Sequence, residues 1–212
     1  MNDLVEENKE DLVQTRLMIP KERVAVLIGK KGVVKKRIEE ELGVQLEIDS
    51  SSGEVVIKAP NEKADMLVKA ATIVKAIGRG FSPENALLLK DDEYTISIID
   101  LTRYAPTRNA LIRIRGRIIG RKGKSRLLIE ELTGTKISVY GKTVAIIGPW
   151  DKVGLAEDAI RKLAEGARHA TVFDWLYEQR RIEKFLKMDE ALRAPYRREP
   201  VLEEDLEEEE EF

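Results

Sequence analysis

The motif Gly-x-x-Gly occurs twice in this chain, 91 residues apart, with two basic residues inside each copy. Gly29-Lys30-Lys31-Gly32 lies in VAVLIGKKGVVKKRIEEELG, and Gly120-Arg121-Lys122-Gly123 lies in RIRGRIIGRKGKSRLLIEELTG. One copy alone is weak evidence, because paired glycines are common in surface turns. Placing Gly29 over Gly120 also aligns Ile28 with Ile119, Ile38 with Ile129, Glu39 with Glu130, Glu40 with Glu131 and Gly43 with Gly134. The 212 residues therefore hold a duplicated unit, which favours two small domains.

Both copies predict the same order of elements. The first reads as a strand (TRLMIP), a helix (KERVAVLIG), a second helix (VVKKRIEEELG), two strands (VQLEI and EVVIKA) and a long helix that we expect Asn61 to cap. The second helix places Val34, Ile38 and Leu42 on one face and ends at Gly43. The second copy repeats this course with EYTISIIDL, NALIRIRGRIIG, KSRLLIEELTG, TKISVYG, KTVAIIG and DKVGLAEDAIRKLAEGA.

Composition shifts divide the chain into five segments. In GFSPENALLLKDDE, Ser82 is placed to cap a short helix and Pro83 to occupy its first position, so this linker is predicted to be helical. FDWLYEQRRIEKFLK predicts one further amphipathic helix, and the acidic end is expected to be disordered when free. The predicted segments are a first domain (12–80), a helical linker (81–92), a second domain (93–168), a C-terminal helix (169–190) and an acidic tail (191–212).

The residue inventory argues against most enzymatic chemistry. There is no cysteine and His169 is the sole histidine, so a zinc site or a cysteine nucleophile is nearly excluded. Gly123-Lys124-Ser125 ends like a phosphate-binding P-loop, but Ile118 stands where that motif needs its first glycine. Paired glutamates such as Glu130 and Glu131 are ordinary on exposed helix faces. We expect no enzyme activity, no metal and no cofactor, and the lack of a signal peptide or long apolar run predicts a cytoplasmic protein without a membrane segment.

The distribution of charge is uneven. The net charge is -2, but residues 203–211 contribute eight acidic side chains, and without them 37 basic residues face 31 acidic ones, a net +6. A moderately basic body with an acidic tail is compatible with a polyanionic partner. Between residues 113 and 126 there are seven basic residues and no acidic one: Arg113, Arg115, Arg117, Arg121, Lys122, Lys124 and Arg126.

The repeated unit resembles the KH domain in its type I form, which has this element order and a GXXG loop between its first two helices. The pattern is met by Ile28-Gly29-Lys30-Lys31-Gly32 followed by Ile38 and Gly43, and again by Ile119 to Gly123 followed by Ile129 and Gly134. One position departs in both copies, since KH sequences usually carry an apolar residue where Lys35 and Arg126 stand. The resemblance implies an α+β fold of two β-α-α-β-β-α domains, each with a three-stranded sheet packed on three helices.

The tandem arrangement is similar to a narrower group, the archaeal KH proteins that assist maturation of small-subunit ribosomal RNA. That resemblance covers roughly residues 10–190. It implies binding of single-stranded RNA near the 3′ end of 16S rRNA, contact with the endonuclease that trims this end, and contact with the alpha subunit of translation initiation factor two.

The residues themselves support an RNA site at the two loops. Glycines let a backbone approach a phosphate closely, and the start of a helix favours anions. We expect the bases to lie on aliphatic residues near the loops, for which Val26, Ile28, Ile118 and Ile119 are candidates. The second domain is predicted to be the stronger site because of its basic run. The predicted RNA-binding residues are Ile28, Gly29, Lys30, Lys31, Gly32, Arg113, Arg115, Arg117, Ile119, Gly120, Arg121, Lys122, Gly123 and Lys124.

A second class of function stays open on the sequence. One unit could serve chiefly as a protein-binding surface, which would make the chain an assembly scaffold with incidental RNA affinity. Trp175, Tyr177 and Phe185 of the extra helix are candidates for such a contact. The acidic tail could also compete with RNA for the basic surface.

Overall fold

The first unit forms one three-stranded antiparallel sheet with three helices. The computed structural model of the protein describes residues 12–193. Its elements are β1 (Leu12–Met18), α1 (Lys21–Ile28), α2 (Val33–Leu42), β2 (Gln45–Ile48), β3 (Glu54–Pro60) and α3 (Ala64–Gly78). β3 is central in the order β1-β3-β2, with Thr15 opposite Ile57 and Leu46 opposite the same Ile57 on the other side. This is the β-α-α-β-β-α architecture that the resemblance implied.

The second unit repeats this architecture after a helical linker. Ser82 accepts a hydrogen bond from the Asn85 N–H (3.4 Å) and Pro83 opens the short helix, as predicted. The elements are α4 (Pro83–Ala86) in the linker, then β4 (Tyr94–Asp100), α5 (Arg108–Ile119), α6 (Lys124–Thr133), β5 (Lys136–Tyr140), β6 (Thr143–Pro149) and α7 (Trp150–Glu165). The sheet order β4-β6-β5 matches that of the first unit.

The two central strands differ in a way that reveals how the units meet. β3 alternates, with Val55, Ile57 and Ala59 buried against the helices and the residues between them half-buried. β6 is buried at every position from Thr143 to Gly148. A strand that reads as a continuous apolar run is covered on both faces, so the outer face of the second sheet must pack on something else.

The linker and the first unit provide that cover. Ala145 and Ile147 of β6 belong to the same buried cluster as Phe81 and Leu87 of the linker. The Ser138 hydroxyl of β5 donates to the Arg79 carbonyl (2.9 Å), at the end of α3. The two units therefore share one hydrophobic cluster.

A tyrosine of β5 closes this contact. The Tyr140 hydroxyl donates to the carboxylate of Glu22 on α1, and burial together with this hydrogen bond raises the pKa of Tyr140. The backbone at Gly80 passes so close that an added Cβ would lie 2.9 Å from the Tyr140 Cβ, and its φ is +99°. Glycine is required at this approach by both space and conformation.

The last helix, α8 (His169–Arg193), packs its first turns on α6 and α7. Val172 and Leu176 are buried in the second core, whereas Phe185, Leu186 and Leu192 are exposed. The helix extends three residues past the predicted end at residue 190. The acidic stretch 194–212, which is predicted to be disordered when free, lies outside the described residues.

One cap prediction is wrong. Asn61 does not cap α3, because a turn of 3₁₀ helix at Asn61–Lys63 precedes that helix and neither start has a side-chain cap bond. The face predicted for α2 is confirmed: Ile38 and Leu42 are buried and Val34 packs partly against them.

Candidate nucleic-acid interface

The two Gly-x-x-Gly loops adopt nearly the same backbone conformation. The first glycine has φ 72° and ψ 173° at Gly29, and φ 74° and ψ 173° at Gly120. The third residue is left-handed in both, with φ 55° at Lys31 and φ 53° at Lys122, although neither is glycine. The final glycine is also left-handed. The duplicated sequence therefore produces a duplicated and locally strained loop, and such strain is concentrated at functional sites.

Each loop joins two helices and starts the second of them. The Gly120 N–H donates to the Gly116 carbonyl (2.8 Å) and ends α5, and the Gly123 N–H donates back to the Gly120 carbonyl (3.1 Å). An added Cβ at Gly120 would lie 2.6 Å from the Ser125 Cβ, so only glycine fits this closely folded loop. The loop leads into α6, whose N-terminal dipole favours an anion. A phosphate bound at the loop would contact its backbone and two exposed cations, Arg121 and Lys122.

The electrostatic surroundings of the two loops differ. In the first domain, glutamates on the next turn of α2 engage two of the basic residues, Lys35 with Glu39 at 3.8 Å and Arg37 with Glu41 at 2.7 Å. Within residues 12–193, none of the seven basic residues from Arg113 to Arg126 forms a salt bridge. The second loop therefore has more unneutralised positive charge around it.

The aligned glutamates of the repeat set the distance between the second helix and the edge strand. Glu39 accepts a hydrogen bond from the Leu46 N–H of β2 (2.8 Å), and Glu130 accepts one from the Ile137 N–H of β5 (2.7 Å). Both pairs are seven residues apart. These bonds hold the second helix of each unit against its edge strand, and we expect the groove for the RNA bases to run along that strand. On the sequence both glutamates read as ordinary exposed residues, although their identical alignment in the two copies was the available signal.

The family models match both units. A KH domain model matches residues 14–73, and a model described as a eukaryotic type KH domain, type I, matches residues 95–181. A KH domain-containing protein of Methanocaldococcus jannaschii is 52% identical over 166 residues, which cover 77% of this chain and 73% of that protein. The RNA-binding protein PNO1 of Oryzias latipes is 32% identical over 64% of this chain and 58% of its own length.

Solved structures agree with these matches. The crystal structure of Dim2p from Pyrococcus horikoshii is 48% identical with a TM-score of 0.74, covering 78% of this chain and 99% of that one. The Dim2p chain from a complex with a/eIF2alpha and rRNA, from the same organism, is 46% identical with a TM-score of 0.76, covering 82% of this chain and 97% of that one. The chain belongs to the Dim2/PNO1 family of KH proteins.

In this Dim2/PNO1 protein the structure places most predicted site residues at the loops, but the prediction that Ile118 contacts bases is wrong. Ile118 is fully buried, as is Leu27 at the matching position of the first domain, so Ile118 cannot line a groove. Ile28, Val26 and Ile119 are half-buried, and their contact with bases stays a prediction. An isoleucine pair before a loop splits in this way because successive helix residues point 100° apart.

Arg117 has a structural role that the sequence did not predict. Its Nε donates to the Leu163 carbonyl (3.2 Å) and its Nη2 to the Ala167 carbonyl (2.5 Å), so it caps the end of α7. Arg23 does the same in the first domain, with Nε to the Ile77 carbonyl at 2.8 Å and Nη2 to the Phe81 carbonyl at 2.5 Å. Arg117 aligns with Val26 and not with Arg23. The two arginines therefore make equivalent hydrogen bonds from positions about one helical turn apart. A position-by-position alignment of the copies therefore misses the correspondence.

The remaining predicted residues stay predictions of RNA contact. Lys30, Lys31, Arg113 and Lys124 are exposed, and Arg115 is half-buried with its Nε covered and without a partner in the described part of the chain. Among residues 12–193 no three potential metal ligands cluster. The same residues include no helix long and apolar enough to cross a membrane.

Proposed function

We propose that this protein binds single-stranded ribosomal RNA through the GRKG loop of its second domain, without catalysing a reaction, during maturation of the small ribosomal subunit. The observation that carries the proposal is the loop at the start of α6, set in a basic run that no described acidic residue neutralises. Phosphate contacts position RNA and bases in the adjoining groove provide sequence preference.

The family supports a more specific target. Relatives are named as pre-rRNA-processing proteins, and a solved relative is in complex with rRNA and a/eIF2alpha. We propose the 3′ end of 16S rRNA as the bound segment, and the cytoplasm as the place of action. The alpha subunit of initiation factor two and the rRNA 3′-end endonuclease are the proposed protein partners.

The two loops allow a matched test of which domain binds. Arg121→Asp with Lys122→Asp removes both cations of the second loop, and Lys30→Asp with Lys31→Asp does so in the first. Aspartate tolerates the left-handed conformation at Lys31 and Lys122 better than most residues, so both double variants should fold. Circular dichroism and the thermal midpoint check this.

The measurement is the dissociation constant for an oligonucleotide of the 16S rRNA 3′ end, against a scrambled one, at several salt concentrations. The second-domain variant should lose more affinity than the first-domain variant. Each lost phosphate contact should also reduce the slope of log affinity against log salt by about 0.7. A larger loss from the first-domain pair would overturn the assignment, and equal affinity for both oligonucleotides would remove the proposed target.

A protein-binding role for the first domain is the second candidate. A cavity of about 820 Å³ lies between β1 and α3, away from either loop, and Met18 and Val68 beside it are exposed at 66% and 63%. Val68→Asp places a charge in this apolar wall. It should weaken capture of the initiation factor alpha subunit and leave RNA affinity unchanged if this role holds.

A further inference from the structure

A cavity of about 650 Å³ opens behind the GRKG loop, where α5, α6 and α8 meet. Its apolar wall includes Leu128 of α6 and Phe173 of α8. Gly116 leaves its α5 side open, because a Cβ added there would meet nothing within 4 Å. The rim is cationic and consists of Arg113, Arg121 and Lys124.

This cavity is on the opposite flank of α6 from the expected RNA groove. Arg126 and Glu130 face β5, since the Arg126 Nη1 donates to the Ile137 carbonyl (3.3 Å) and Glu130 accepts from the Ile137 N–H. Lys124 and Leu128 lie on the other side of the helix, toward α8. Gly120 and Arg121 of the loop itself line the cavity, so an RNA strand held at the loop can reach it.

We propose that the cavity binds one nucleotide of the RNA strand beyond the segment held in the groove, a proposal that rests on RNA binding by the second loop. A base has a flat apolar face and a phosphate is anionic, which matches an apolar wall beneath a cationic rim. Phe173 offers a ring whose orientation is restrained by His169, with centroids 5.8 Å apart and planes tilted by 55°. His169 is itself fixed, because its Nε2–H donates to the Arg117 carbonyl (2.9 Å).

The first domain differs at the positions that form this rim. The positions that match Arg113, Gly116 and Lys124 are Glu22, Ala25 and Val33. An acidic residue thus replaces one of the three rim cations, and an apolar residue replaces a second. The extra helix packs on α6 and α7 of the second domain, so it places Phe173 beside the second loop. The second domain should therefore contact a longer RNA segment than the first.

Gly116 gives a selective way to block the cavity. It is exposed in the middle of α5, and a Cβ added there would meet nothing within 4 Å outside the helix backbone. Gly116→Leu should fill the space without disturbing packing, and leucine is a far better helix former than glycine. The matched controls are Gly116→Ala, which leaves the cavity open, and Ala25→Leu at the corresponding exposed position of the first domain.

The test compares RNA of four nucleotides, the length that a KH loop holds, with RNA of eight. It uses the full chain with Lys30→Asp and Lys31→Asp, so that the first loop does not contribute. With Gly116 present, the longer RNA should bind about tenfold more tightly than charge alone explains, as expected for one stacked base. Gly116→Leu should remove that gain and leave affinity for the short RNA unchanged, whereas Gly116→Ala and Ala25→Leu should keep it.

Three other outcomes are informative. A full length-dependent gain in Gly116→Leu would overturn the cavity proposal while the loop assignment stands. If Arg121→Asp with Lys122→Asp leaves RNA affinity intact, the proposed function itself fails. If Gly116→Leu instead tightens RNA of both lengths, and removal of residues 201–212 does the same, the cavity belongs to the acidic tail, which also overturns the nucleotide proposal.

Discussion

Alanine at the first glycine of the second loop should destabilise the protein far more than alanine at the second glycine. At Gly123, φ is 78° and ψ is 4°, and an added Cβ meets nothing within 4 Å. Alanine there has only the left-handed conformation to overcome, at about 1 kcal/mol. At Gly120, φ is 74° and ψ is 173°, a region that residues with a Cβ avoid at about 1–3 kcal/mol.

Sterics add to the cost at Gly120. The new Cβ would lie 2.6 Å from the Ser125 Cβ and 2.7 Å from the Ser125 backbone nitrogen, at the start of α6. Relief requires a backbone shift, which costs about 1–3 kcal/mol in a well-packed region. We therefore expect a loss of about 1 kcal/mol for Gly123→Ala and about 3 kcal/mol or more for Gly120→Ala.

Urea unfolding followed by circular dichroism measures both losses. The first domain supplies a matched pair, because an added Cβ at Gly29 would lie 2.5 Å from the Val34 Cγ2 while one at Gly32 meets nothing. The same order is expected for Gly29→Ala and Gly32→Ala. Equal losses within a pair, or a larger loss at the second glycine, would refute the loop geometry.

Three further results are expected. Arg117→Ala should lower the free energy of unfolding by about 2 kcal/mol, because it removes two charged hydrogen bonds to the end of α7, while exposed Arg113→Ala should have little effect on stability; equal thermal midpoints would contradict this. Ser125→Val should stabilise the second domain by about 1 kcal/mol in urea unfolding, because the buried Ser125 hydroxyl has no partner among the described residues and Val34 fills the matching position; a loss of stability would show that the hydroxyl is used. Hydrogen bonds from the Ser52 and Ser51 hydroxyls hold the pKa of Asp49 below its usual range. The ionised Asp49 carboxylate therefore stabilises the fold above about pH 4, and this stabilisation is lost as pH falls further. The difference in thermal midpoint between the protein and its Asp49→Asn variant should shrink from pH 7 to pH 3, and a constant difference would exclude this titration.

Local patterns predicted the two folds well because each element carries its own signal. The GXXG spacing located both loops, and the period of α2 identified Ile38 and Leu42 as core. Long-range hydrogen bonds were not accessible in this way. Arg117 reads as one more cation in a basic run, and only the fold brings the Leu163 and Ala167 carbonyls to it. Asn61 failed as a cap because the chain enters α3 through a 3₁₀ turn, a choice that its side chain does not determine.

The uninterrupted apolar run of β6 bears on how RNA is selected. Because the outer face of the second sheet is sealed by the linker and the first unit, the two loops cannot reorient freely as they would on a flexible tether. If both loops bind RNA, then once one loop holds a strand the other lies at a fixed spacing from it, and its effective concentration is high only for RNA whose second segment reaches that point. The protein would then select RNA by the number of nucleotides between the two contacts as well as by the bases at each contact.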